Sequence, residues 1–167
     1  PINIGTDERY GGDLTMMIRP FSWWNLMGNV NLYGYTTRGE YTDSYLNADG
    51  EMVSRTTSFD GDGFSWFGRL SSTFTLPKDF NVQLTGMYRG GSKTAQSERK
   101  PIYGVDLSIS KDLFDDNATL TASVRDLFNT RAFRMTSFGD DFHIDSKYRW
   151  SVRSINLSFT YRFNQSK

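Results

Sequence analysis

At 167 residues the chain is long enough for one domain, and its 19 basic and 19 acidic residues cancel, which removes any bulk electrostatic case for nucleic acid or an anionic membrane surface. Cysteine is absent, so disulfides and thiolate metal sites are excluded, and no run approaches the roughly 18–20 apolar residues of a membrane-spanning helix. A mean hydropathy of -0.55 with 16% aromatic residues still fits a membrane β-barrel, where half of each strand faces a polar lumen and dilutes the average.

In chain order, period-two alternation predicts seven strands. Residues 10–19 set Leu14, Met16 and Ile18 against Asp13, Thr15 and Arg19. Residues 21–35 oppose Trp24, Leu26, Val30 and Leu32 to Asn25, Asn29, Asn31 and Tyr33. Residues 64–76 place Phe64, Trp66, Leu70, Phe74 and Leu76 opposite Ser65, Arg69, Ser71, Thr73 and Thr75. Residues 80–89 alternate Phe80, Val82, Leu84 and Tyr88 with Asn81, Gln83, Thr85 and Arg89. Residues 102–110 carry Tyr103, Val105, Leu107 and Ile109 against Asp106, Ser108 and Ser110, and residues 118–125 carry Leu120, Ala122 and Val124 against Thr119, Thr121, Ser123 and Arg125. The last strand spans 148–163 and ends with Ile155, Leu157, Phe159, Tyr161 and Phe163 on one face. Every segment has a greasy side and a wet side, as a wall between lipid and water requires.

The connections alternate in length. Short links fall at 19–22, 77–79 and 112–117, and long polar ones at 39–63, 90–101 and 129–147. Outer-membrane barrels sort their loops this way, with tight periplasmic turns and large outer loops. The first strand then descends and the seventh finishes in the periplasm. Seven antiparallel strands cannot close on themselves, so the chain reads as part of a wall. No charged-apolar-small leader opens it, which suggests a mature product or an internal piece.

Four stretches resemble one family in the order in which they occur. Asn3-Ile4-Gly5 followed by Tyr10-Gly11-Gly12-Asp13-Leu14 is similar to the loop-to-strand passage of TonB-dependent outer-membrane receptors. Pro20-Phe21-Ser22-Trp23-Trp24-Asn25-Leu26 resembles their periplasmic turn, Asp126-Leu127-Phe128-Asn129-Thr130 a motif where a late strand reaches its outer loop, and Leu157 to Phe163 their final strand. The resemblance is closest to the outer membrane protein beta-barrel type that looks like nutrient importers. It implies an all-β, antiparallel transmembrane β-barrel of roughly 22 strands with a plugged lumen, in which residues 1–167 are the seven C-terminal strands and the plug domain is absent. It further implies an outer-membrane location in a Gram-negative cell and active nutrient uptake. The implied partners are the rest of the barrel and its plug, membrane lipid, TonB through the missing N-terminal part, and a surface lipoprotein lid.

Candidate site residues follow from these faces. Asn25, Asn29, Asn31, Arg69, Gln83, Arg89, Asp106 and Arg125 are too polar for a dry core and are assigned to the lumen or plug-facing side. Phe21, Trp23 and Trp24 with Tyr161 and Phe163 form the lower aromatic belt, and Tyr35, Phe64, Trp66, Tyr88 and Tyr103 the upper one. Tyr41, Tyr45, Arg55 and Phe59 in one long loop, and Arg131, Phe133, Arg134 and Phe138 in another, are candidates for ligand or partner contact. Asp60-Gly61-Asp62-Gly63 and Asn47-Ala48-Asp49-Gly50-Glu51 lack the spacing of a calcium loop and read as turns. His143 stands alone, no strained turn presents a nucleophile, and no phosphate-cradling spacing occurs, so no catalytic, cofactor or metal site is expected. A small passive or structural barrel, with residues 1–8 or 131–142 as an eighth strand, and a soluble β-sandwich binding module are the alternative expectations.

Overall fold

A computed structural model describes residues 5–58, 60–94, 96–139, 142–149 and 152–163. Its strands are β1 (Gly5–Phe21), β2 (Trp24–Leu46), β3 (Met52–Ser58), β4 (Gly61–Leu76), β5 (Phe80–Arg89), β6 (Ser92–Lys93), β7 (Ser97–Arg99), β8 (Ile102–Leu113), β9 (Ala118–Arg125), β10 (Phe133–Phe138), β11 (His143–Tyr148) and β12 (Ser154–Tyr161). There are no helices among the described residues.

Seven of these strands, in the order β1-β2-β4-β5-β8-β9-β12, make one antiparallel wall, each beside its neighbour in sequence. The register shows why the alternation works. One row across the wall reads Ile18, Leu26, Ser72, Leu84, Leu107, Val124 and Ile155. The next row from β2 to β12 reads Asn25, Thr73, Gln83, Ser108, Ser123 and Asn156. The first row lies on a greasy face and the second on a wet one, because successive side chains of a strand point to opposite sides. The one hydroxyl in the greasy row is satisfied: Trp24 Nε1 donates to Ser72 Oγ at 2.7 Å.

Nothing covers that greasy face. Leu14 is 66% exposed and Leu157 75%, and the only fully buried apolar residues among those described are Ile102, Ala118 and Ala132. Water would not leave so large an apolar surface bare on a soluble domain. The face expected to be buried in a sandwich, from Trp24 to Leu32, instead has Leu32 exposed. Among the described residues β1 pairs only with β2 and β12 only with β9, so the wall is open at both edges and is not a closed barrel. Neither proposed eighth strand closes it: residues 5–8 extend β1, and residues 133–138 join a different sheet.

The short connections form tight turns at one end. Phe114, Asp115 and Asp116 take left-handed backbone angles in one, and Lys78 and Asp79 in another. At the other end the long connections are more ordered than their polarity suggests. β2 runs on past the wall to Leu46 and returns as β3, so most of residues 39–63 is a hairpin. Its tip is an Asx turn, with Asn47 Oδ1 accepting from the N–H groups of Asp49 and Glu51. The other two long links build a four-stranded sheet in the order β11-β10-β7-β6. Tyr35 ties this rim sheet to the wall: its hydroxyl donates to the carbonyl of Lys93 at 3.0 Å and accepts from its N–H at 3.1 Å.

Several strand boundaries differ from expectation, most of all that of the last strand. Residues 148–163 are not one strand: Tyr148 closes β11 opposite Phe133, and the wall strand starts only at Ser154. Arg153 marks the break, where its Nη1 reaches the carbonyl of Leu127 at 3.4 Å. Tyr35 also lies on the polar face rather than in an outer belt, since its register is that of Asn25, Asn29 and Asn31.

Close aromatic–glycine packing fixes the upper part of the wall. Tyr10 faces Gly34, Tyr33 faces Gly11 and Tyr35 faces Gly63 across neighbouring strands. A Cβ on Gly34 would lie 2.5 Å from Tyr10 Cζ, and one on Gly63 2.5 Å from Tyr35 Oη, so each ring fills space that only glycine leaves.

Candidate functional site

All eight residues assigned from sequence to the polar face share one face of the wall. Asn29 pairs with Arg69, Asn31 with Phe67 and Phe67 with Arg89, while Gln83, Asp106 and Arg125 fall in register with the same side of β4. Several of them bond to polar neighbours across strands. Asn31 Nδ2 donates to Asp13 Oδ1 at 2.7 Å, Asn29 Nδ2 to Thr15 Oγ1 at 3.2 Å, and Gln83 Nε2 to Ser71 Oγ at 2.9 Å. The face therefore offers amides, hydroxyls and guanidinium groups to whatever lies against it.

At the upper end of β9 the polar face is organised around two acids. Asp126 is fully buried at the end of the strand with a left-handed backbone. Its Oδ1 accepts from Thr130 N–H at 2.9 Å and Thr130 Oγ1 at 3.3 Å, and its Oδ2 from Arg131 N–H at 3.0 Å. Asp106 Oδ1 in turn accepts from Asp126 N–H at 2.8 Å, and both of its oxygens accept from Arg131 Nη2 at 3.1 and 3.0 Å. The turn is sealed by Leu127 N–H donating to Val105 O at 2.7 Å and Asn129 N–H to Asp126 O at 2.8 Å. Thr130 Oγ1 also reaches Tyr103 O at 3.1 Å. Two carboxylates thus satisfy backbone donors that a strand ending abruptly would leave bare.

The other candidates are distributed as follows. Trp23 sits in the lower turn and stacks on Phe21 at 5.4 Å, and Trp24 stacks on Phe74 at 5.9 Å. Thr75 N–H donates to the carbonyl of Trp23, which closes this aromatic cluster onto β4. Trp66 and Tyr88 stack at 4.4 Å on the greasy face near the upper end, with Tyr103 in register beside Tyr88. Tyr161 meets Phe163 edge to face at 4.8 Å. On the hairpin arm, Tyr41, Tyr45 and Arg55 project from the side continuous with the polar face, Arg55 opposite Asp43. Phe59 lies outside the described residues. Phe133 and Arg134 are in β10, opposite Tyr148 and Lys147, and Phe138 ends that strand. Arg131 is not a free rim side chain, because its guanidinium is held against Asp106 with the side chain 14% exposed.

Sequence reasoning quoted Asp126 and Thr130 only as part of a motif and gave them no role. The spacing itself, an acid ending an alternating strand with a threonine four residues on, is the signal of a side chain turning back to cap its own backbone. Gly104 was missed altogether; a Cβ there would meet Arg131 Nε at 2.7 Å.

An open antiparallel wall with one greasy face, one hydrogen-bonding face and its long connections at one end agrees with the family model that matches residues 1–161, described as outer membrane protein beta-barrel family. The chain belongs to the outer membrane protein beta-barrel family. Membership implies an outer-membrane location. No curated protein and no solved structure matches the chain.

Proposed function

We propose that this chain supplies the C-terminal wall of a TonB-dependent outer-membrane receptor that imports a scarce nutrient. The observation that carries the proposal is the sorting of the wall: eight polar candidates on one face, an apolar band interrupted at Ser72 on the other, and all long connections at one end. A passive barrel needs the same band. Its lumen is polar too, but amides and guanidinium groups on one face also suit hydrogen-bonded packing against a plug.

In this proposal the two free edges pair with further strands of a larger barrel, of roughly 22 in all, because lipid leaves no unpaired backbone at a sheet edge. The rim sheet and the β2–β3 arm face the outside. Tyr41, Tyr45, Arg55, Phe133 and Arg134 are the contacts offered there to substrate or to a surface lipoprotein lid. Substrate captured by the rim and plug enters when the plug is pulled from the periplasm through TonB. This chain's part is to hold the wall and to lend the plug a polar surface to slide against.

The test is energised uptake. Cells carrying the intact receptor are compared with and without a working TonB protein, and with and without a protonophore, for accumulation of candidate nutrients such as metal chelates, glycans and peptides. Loss of uptake in both conditions is the expected result. Flux that survives both, or steady ion conductance of the purified protein in planar bilayers, would make it a passive barrel instead.

A further inference from the structure

The polar face holds a depression of about 230 Å³ between β4 and β12. Arg69 on β4 and Arg125 on β9 line it, with the buried Thr85 on β5 and Asp106 on β8 on the strands between them. Asp106 is already committed: Arg131 Nη2 and the N–H of Asp126 take its oxygens. Among the described residues the side chains of Arg69 and Arg125 make no hydrogen bond or ion pair, and neither do those of Ser108, Ser123 and Asn156 that line the same hollow. The site is therefore rich in unused donors. With Arg131 counted against Asp106, it carries an excess of two positive charges.

We infer that this depression holds a carboxylate. Guanidinium groups present planar forks of donors that match the two oxygens of a carboxylate, and the neighbouring hydroxyls and amide can complete its shell. The small volume and the nearby Asp106 disfavour a multiply charged anion, whereas one negative charge still leaves the hollow positive. This inference rests on the proposed function in one respect, namely that the polar face is turned into the barrel. The carboxylate then comes either from an acidic side chain of a segment lodged in the lumen or from a dissolved substrate.

The experiment uses the intact receptor in detergent and follows modification of individual arginines by phenylglyoxal with peptide mass spectrometry, taking Arg134 on the rim as reference. If the carboxylate is dissolved, Arg69 and Arg125 react as fast as Arg134, and acetate slows both on the order of tenfold against chloride at equal ionic strength, as loss of one charge-assisted contact would predict. If it belongs to the protein, both arginines are slow from the start, and R125Q frees Arg69 to react and exposes one further acid to carbodiimide coupling. R125K, which keeps the charge but not the fork, retains part of the protection in either case. Free reaction of both arginines with no effect of acetate overturns the inference. Orientation is checked apart from this, by cysteine placed at Thr121 on the wet face and at Leu120 on the greasy one, in lipid vesicles. If Leu120→Cys reacts with a water-soluble maleimide and Thr121→Cys does not, the assignment of faces has failed, and with it the wall; if only Thr121→Cys reacts, a negative arginine result counts against the carboxylate site alone.

Discussion

Two strands leave the upper end of the wall in opposite ways. β9 stops at Asp126, whose buried carboxylate collects the donors that the ladder drops. β2 does not stop: it continues as a two-stranded arm held by its own ladder and by exposed hydroxyl pairs, Thr42 with Thr56 at 2.8 Å and Ser44 with Ser54 at 2.9 Å. In the first case a few side chains carry the ending, and each is hard to replace. In the second the backbone carries it, and almost any side chain serves. Sequence tolerance at a rim thus depends on whether the strand is capped or prolonged, not on how exposed the region is as a whole.

The comparison breaks first at Asp126. Asp126→Ala leaves the N–H groups of Thr130 and Arg131 without acceptors in a buried place, and a loss of roughly 3 kcal/mol is expected in urea unfolding from lipid vesicles. Asp126→Asn should lose less, since one oxygen remains. Removing the partner, Arg131→Ala, strips Asp106 of its charge-assisted bonds and should lower stability by about 2 kcal/mol. Gly104→Ala pushes on the same guanidinium from below, with about 1 kcal/mol expected from the same assay. On the arm, replacing residues 42–56 by Asn-Gly should change wall stability by no more than about 0.5 kcal/mol, although it would abolish any partner binding that Tyr45 or Arg55 supports. A drop as large as that of Asp126→Ala would show that the arm is no mere extension.

The smallest effect lies in the rim sheet that follows β9. Thr136 Oγ1 donates to Asp145 Oδ1 at 2.6 Å, and this bond, helped by the charge of His143, holds the Asp145 carboxyl below its ordinary value of 3.8. A carboxyl lowered in the folded state stabilises above its unfolded pKa, and that contribution is lost as pH falls through the folded value. Thr136→Val should therefore lower the melting midpoint slightly at neutral pH, and the two curves should converge in acid below about pH 4. Midpoints measured from pH 7 down to pH 2 decide it; a difference that persists unchanged at pH 2 assigns the effect to packing.

The wall was legible because each of its strands has one face apolar enough to show the period of two. The arm was not: Glu40-Tyr41-Thr42-Asp43-Ser44-Tyr45 and Val53-Ser54-Arg55-Thr56-Thr57 are mainly polar on both sides, so no contrast marks the alternation and the stretch reads as loop. The short strands of the rim sheet were hidden for the same reason. Of the candidate site, side-chain direction followed from parity alone, which placed Arg69, Gln83, Asp106 and Arg125 on a common face. Which of them are already engaged did not, because Asp106 is bound by Arg131, 25 residues further on. Only the folded register reveals that one arginine is spent there and two are not.

The aromatic–glycine contacts bear on errors of assembly. A slip of one residue between β1 and β2 would turn every greasy side chain to the wet face, and the membrane would reject it. A slip of two keeps the alternation intact and passes that test. It would, however, move Tyr10 from Gly34 to Leu32 or Thr36, where a Cβ stands in the space the ring now fills. Tyr35 above Gly63 imposes the same condition between β2 and β4, on the other side of β2. These two pairs act as a proofreading device: alternation decides which side of the wall a residue faces, and the rings decide its height.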